Sequence, residues 1–87
     1  MMKYPEKILK ALANKRRLAI IRYLKTKKEA SVGDIAEHIK LSFKSTSRHL
    51  AILSGADILD KEQRNVSVFY SLASNLPNLA GVVISKI

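Results

Sequence analysis

The sequence predicts an α+β, mostly α fold, and three observations carry that prediction. Apolar residues recur at helical spacing over four segments between Tyr4 and Leu53. Only Lys40 and Leu41 separate the third segment from the fourth, and strict alternation replaces the helical period in VSVFYSL, residues 66–72. Eighty-seven residues are expected to form one domain over 1–87, small enough that oligomerisation would help it.

Taken in order, residues 4–13, YPEKILKALA, place Ile8, Leu9 and Leu12 on one side of a first helix, with Pro5 tolerated in its opening turn. Asn14 offers an N-cap to a second helix, KRRLAIIRYLKT, whose Leu18, Ile21 and Leu24 face inward. Lys15, Arg16, Arg17 and Arg22 remain near its start and outer face. Cations at a helix N-terminus oppose the macrodipole, a local cost that a bound phosphate would relieve; a solvated basic turn is the alternative. Lys27, Lys28 and Glu29 read as a polar connection. Ser31 and Asp34 then form a capping-box-like start to VGDIAEHI, with Val32, Ile35, Ala36 and Ile39 inward.

The fourth helix, residues 42–53, is the segment around which the rest is organised. Ser42 is its expected N-cap, and Gly55 stands where a left-handed C-terminal cap is usual. Thr46, Leu50 and Leu53 should face a core, which leaves Lys44, Ser45, Ser47, Arg48 and Ala51 on the opposite side. That face is small, hydroxylated and cationic. Such side chains let a helix enter the DNA major groove, where Ser approaches either base and Arg and Lys reach guanine edges or phosphates. Two helices joined so tightly suggest a helix-turn-helix.

Beyond Gly55, Ile58 and Leu59 begin a strand, DKEQRN forms a polar tip, and Val66, Val68, Tyr70 and Leu72 line one face of the returning strand. Asn65 can accept a positive φ at the turn, and Arg64 is placed to reach a phosphate or a minor groove. A helix-turn-helix followed by a two-stranded β-hairpin is the order of a winged helix. In SNLPNLAGVVISKI, Pro77 opens a terminal helix with Leu76, Leu79, Val83 and Ile87 as a stripe, although Gly81 and the β-branched run Val82–Ile84 weaken it. That apolar tail would pack with the first helix across a homodimer interface.

Charge points the same way. Sixteen Lys and Arg against seven Asp and Glu give a net charge of +9, and ten of the cations fall in the first 28 residues with only Glu6 opposing them. A concentrated positive field favours a polyanionic partner. The chain has no cysteine, which excludes disulfides and thiolate metal sites and suits a reducing cytoplasm. No apolar run of signal-peptide or membrane-span length follows Lys3 and Lys7 or ends the chain, so no membrane partner is expected.

The runs ALANKRRLAIIRYL, SVGDIAEHIKLS, STSRHLAIL and VFYSL together resemble the winged-helix regulators of the arsenic-repressor (ArsR) type, over roughly residues 8–72. The combination of S-x-H-L-x-x-L, carried by Ser47, His49, Leu50 and Leu53, with R-L-x-I and Y-S-L is the specific part. The resemblance implies a dimeric transcriptional repressor of double-stranded DNA, joined through its terminal helices. By position it gives base readout to Lys44, Ser47 and Arg48 with Ser45 close by. Phosphate and wing contacts are expected from Lys15, Arg16, Arg17, Ser31, Ser42, Gln63, Arg64 and Asn65. Phe43 departs from the family, standing where relatives often carry a polar DNA-contacting residue: either the helix is slightly rotated, or Phe43 packs against the sugar backbone or a thymine methyl, or it packs at the rim of the core, which is the favoured role. Many members of the family sense metals through cysteines near this helix pair or through Asp, Glu and His on the last helix; this chain has no cysteine and its tail after Leu72 has no His, Asp or Glu, so that switch is not carried over.

No cofactor, metal or catalytic site is expected. Asp34 and His38 share a helical spacing that can place two ligands on one ion, but no third or fourth ligand is evident. Ser47 and His49 point to different sides of their helix with no carboxylate to orient the imidazole, so no enzyme is expected. Two function classes remain: a site-specific regulator, and a sequence-blind nucleic-acid-binding or architectural module. Low aromatic content argues against the single-strand binding that stacking platforms support.

Overall fold

A computed structural model describes residues 5–87; Tyr4 of the expected first helix and Lys3 lie outside them. The elements run α1 (Pro5–Leu12), α2 (Lys15–Lys27), β1 (Glu29–Ser31), α3 (Val32–Ile39), α4 (Phe43–Gly55), β2 (Leu59–Arg64), β3 (Ser67–Leu72) and α5 (Asn78–Lys86). Side chains begin three of the helices. Asn14 accepts from the backbone N–H groups of Arg16 and Arg17, Ser31 from Asp34, and Ser42 from Ser45, so donors left free in each first turn are satisfied.

One apolar cluster joins every helix. Ile8, Ile20, Ile21, Leu24, Ile35, Leu50, Leu53 and Ile58 are its fully enclosed side chains. Burying each contributes about 1.5–3 kcal/mol, which is why these short helices hold together when none would persist alone. Two inward assignments shift by two residues. In α1 the inward residues are Ile8, Ala11 and Leu12, and Leu9 is exposed; in α2 Ile20 is fully buried while Leu18 is half-buried.

The strands depart further from expectation. Glu29–Ser31 is no mere connection: it forms a third, antiparallel strand in the order β1-β3-β2, with Ala30 opposite Tyr70 and Ser31 opposite Phe69. Three residues are too few for alternation to show. The wing is therefore three-stranded at its base. DKEQRN is mostly strand, since Arg64 pairs with Ser67 and only Asn65 and Val66 remain for the turn. A hairpin that projects past the core is wet on both faces, so a polar run does not disqualify it. Asn65 adopts the expected positive φ, 56°, whereas Val66 leaves the apolar face and stands at the tip.

Gly55 is not the left-handed cap. Helix α4 runs through it, and Asp57 takes the positive φ of 62°. The N–H of Ile58 donates to the Leu53 carbonyl and that of Asp57 to Ser54, the paired bonds of a Schellman ending. Both Leu53 and Ile58 are fully buried, so apolar closure outweighs the modest cost of a left-handed Asp.

At the other end, α5 starts just after Pro77 and packs on α1 of the same chain. Ala80 and Ile84 are buried there, with Leu76, Leu79, Val83 and Ile87 packed beside them. The Lys25 ammonium donates to the Ile84 carbonyl at 2.8 Å and holds the end of the helix.

Candidate nucleic-acid interface

Helix α4 is mounted by its buried side. Thr46, Leu50 and Leu53 are enclosed, while Lys44, Arg48 and Ala51 are exposed and Ser45 and Ser47 are half-exposed, so the sequence-derived face is presented as a unit. Only Lys40 to Ser42 separate α3 from α4. Lys40 reverses the chain in a left-handed conformation, φ 57° and ψ 52°, and its N–H closes on the carbonyls of Ala36 and Glu37. Within the described residues, Lys44 and Arg48 have no hydrogen-bond or ion-pair partner. Their charges are available to a ligand.

The expected phosphate contacts fall into two groups. Lys15 is exposed, as are Ser42, Gln63 and Asn65; Ser31 is half-buried. The hydroxyls of Ser31 and Ser42 already accept from their own helices. Arg16, Arg17 and Arg64 are engaged inside the chain. The Arg16 guanidinium donates to the Ile39 carbonyl at 3.0 Å. Arg17 donates to the carbonyls of Ala11 at 2.6 Å and Lys10 at 3.0 Å, and to Nδ1 of His49 at 3.1 Å. These cations do not lean on the unfavourable dipole of their own helix. They satisfy the carbonyl ends of α1 and α3, where positive charge is favourable.

On the wing, Arg64 grips both carboxylate oxygens of Glu29, at 2.6 and 2.8 Å, reaches Glu62 at 3.0 Å, and lies over the Phe69 ring. Glu29 is held below its ordinary pKa by that hydrogen-bonded guanidinium. The charge of Arg64 is thus neutralised in place, across the strand between. Nothing in the sequence signals a pair 35 residues apart that forms over a central strand.

Both histidines contact another side chain. His38 stacks on Tyr23 with ring centroids 4.1 Å apart. His49 accepts from Arg17 and is therefore neutral, and withdrawal from water, then Arg17, Arg16 and Arg48, hold its pKa below 6.5. Among the described residues no three His, Asp or Glu side chains gather as a metal site, and no helix is long and apolar enough to cross a membrane.

Phe43 is the residue that the sequence misplaced. It is not packed at the core rim: it is 63% exposed, on the first turn of α4 beside Lys44.

This architecture has close counterparts. The transcriptional activator HlyU of Vibrio cholerae serotype O1 is 39% identical over 77% of this chain, and the match spans 61% of HlyU, under two thirds of its length. The transcriptional repressor SdpR of Bacillus subtilis is 35% identical over 75% of this chain and 71% of its own. A solved structure of Vibrio cholerae HlyU superposes with a TM-score of 0.80, covering 99% of this chain and 92% of that one at 34% identity. A homodimeric winged helix-turn-helix DNA-binding domain from Mycobacterium bovis shares the fold, with a TM-score of 0.80 at 23% identity over 93% of this chain and 71% of that one. The model of the bacterial regulatory protein arsR family matches residues 14–61, from the cap of α2 into β2. With the helix-turn-helix, the wing and these matches in agreement, the chain belongs to the arsR family of bacterial regulatory proteins.

Proposed function

We propose that this chain is a sequence-specific, DNA-binding transcriptional regulator that acts in the cytoplasm as a homodimer on a pseudo-palindromic operator. The observation that carries the reading is the face of α4, where Lys44 and Arg48 have no hydrogen-bond or ion-pair partner among the described residues and stand beside Ser45 and Ser47 on a helix fixed by three buried residues. In this reading Lys44, Ser45, Ser47 and Arg48 read bases. Lys15 and the wing residues Gln63 and Asn65 hold the backbone, and Arg16, Arg17 and Arg64 keep the frame in shape. The dimer is supported by Leu9 on α1 and Val82 on α5, which are about half-exposed on the two helices that pack together. Two α4 helices about 34 Å apart would then enter successive major grooves. Repression by occluding a promoter is the simplest action, although the relatives above include both an activator and a repressor.

The test is binding to tiled duplexes from the DNA upstream of its own coding region, at low and at physiological salt, with a scrambled control. One tile that survives the higher salt with dimer stoichiometry is expected. Equal binding to all tiles, lost together as salt rises, would instead identify a sequence-blind module.

A further inference from the structure

Helix α4 carries an apolar group that its buried face does not use. Phe43 is 63% exposed at the head of a helix whose neighbouring outward positions are Lys44 and, a turn on, Ser47 and Arg48. A ring so open leaves most of its apolar surface in water, which is unfavourable. The other open apolar residues lie elsewhere, Leu9 on α1, Val82 on α5, Val66 at the tip of the wing and Ile52 in the C-terminal half of α4; Phe43 stands at the N-terminus of α4, with the Ser42 cap immediately before it and Lys44 immediately after. In a helix-turn-helix the N-terminal residues of the second helix come nearest the base edges. The major groove there offers one apolar feature, the C5-methyl group of thymine, and an aromatic or aliphatic side chain is its complement.

We propose that Phe43 is a specificity-determining residue that reads a thymine C5-methyl in each half-site. The proposal rests on the regulator reading above and extends it: the cationic and hydroxylated residues supply phosphate and polar edge contacts, and Phe43 supplies the apolar one. Because the site is used twice by a dimer, the preference for thymine appears at two symmetry-related positions.

The experiment begins with a duplex selected by the protein from a random-sequence pool. Each thymine of the selected site is replaced in turn by deoxyuridine, which removes only the methyl group, and binding is measured for the natural protein, Phe43→Ala and Phe43→Leu. At one symmetry-related pair, the natural protein should lose roughly fourfold in affinity per methyl removed, the equivalent of one buried methylene-sized group. Phe43→Ala should bind the thymine and deoxyuridine duplexes alike, and Phe43→Leu should keep part of the difference. Circular dichroism and salt-sensitive binding to unrelated duplex check that both variants fold. A selected site whose every thymine can lose its methyl with the same effect on the natural protein and Phe43→Ala overturns the proposal while leaving the regulator reading intact. A change in oligomeric state on Phe43→Ala, with thymine discrimination retained, overturns it in favour of a contact between subunits. Failure of the pool to yield any preferred sequence overturns both.

Discussion

Helices α2 and α4 begin alike and end up in opposite roles. Each has a polar N-cap, Asn14 or Ser42, and cations in its opening turns. At α2 the guanidinium groups of Arg16 and Arg17 turn inward to the carbonyl ends of α3 and α1. At α4, Lys44 and Arg48 have no partner among the described residues. Net charge thus overstates what a ligand can meet. A basic cluster in a small domain offers a ligand only the charge left after its internal acceptors have been subtracted, and here the subtraction leaves Lys44 and Arg48 of α4 more open than Arg16 and Arg17 of α2.

The largest expected effect tests the structural side of this contrast. Arg17→Ala removes three side-chain hydrogen bonds and leaves two helix-end carbonyls short of a donor, so urea unfolding should show a loss of about 3 kcal/mol. An unchanged midpoint, with DNA affinity reduced, would return Arg17 to the phosphate group of contacts. On the other helix, Arg48→Ala should leave stability within about 0.5 kcal/mol, yet cut discrimination between preferred and scrambled duplexes by about 1–3 kcal/mol. Uniform weakening on both duplexes would count against base readout.

A smaller effect lies beneath the same face. The Thr46 hydroxyl is fully buried with no hydrogen-bond partner among the described residues, so Thr46→Val, close to isosteric, should raise stability by about 1 kcal/mol and leave DNA binding unchanged. Destabilisation in the same unfolding assay would show that the hydroxyl is satisfied after all.

The smallest effect is a pH dependence at the point where the two helices meet. His49 is held below 6.5 in the folded chain, chiefly by withdrawal from water and then by the arginines around it. The unfolded chain therefore binds the proton more readily. The contribution of neutral His49 is complete above about pH 6.5 and is lost as pH falls through the lower folded value. Unfolding midpoints of the natural chain and His49→Gln should run parallel above that pH and converge or cross below it; parallel curves throughout would remove His49 from the account.

Much of this was legible beforehand, and the illegible parts share a cause. The caps Asn14, Ser31 and Ser42, the buried triad of α4 and the positive φ of Asn65 follow from local chemistry, because each depends on residues within a turn or two. The short strand β1 depends on β3, forty residues away, and no local pattern announces it. The same holds for the Glu29–Arg64 pair and for Arg17 meeting His49. At α4's C-terminus the favoured residue type, Gly55, was present, but burial of Ile58 and Leu53 placed the reversal two residues later, at Asp57. Phe43 erred in the other direction: an aromatic residue reads as core, and only the completed packing shows that it is left outside.

Ser31 has a double membership, as the last residue of β1 opposite Phe69 and as the cap of α3. Strand and helix meet there with no intervening residue. The sheet and the helix pair are therefore joined without a linker and the angle between them is set during folding, which reduces the orientational freedom that any bound partner would have to remove. The joint also limits how the chain can vary: an added residue between Ser31 and Val32 would break either the ladder or the cap. Length changes are far easier between Leu72 and Asn78, where five residues lie outside any helix or strand.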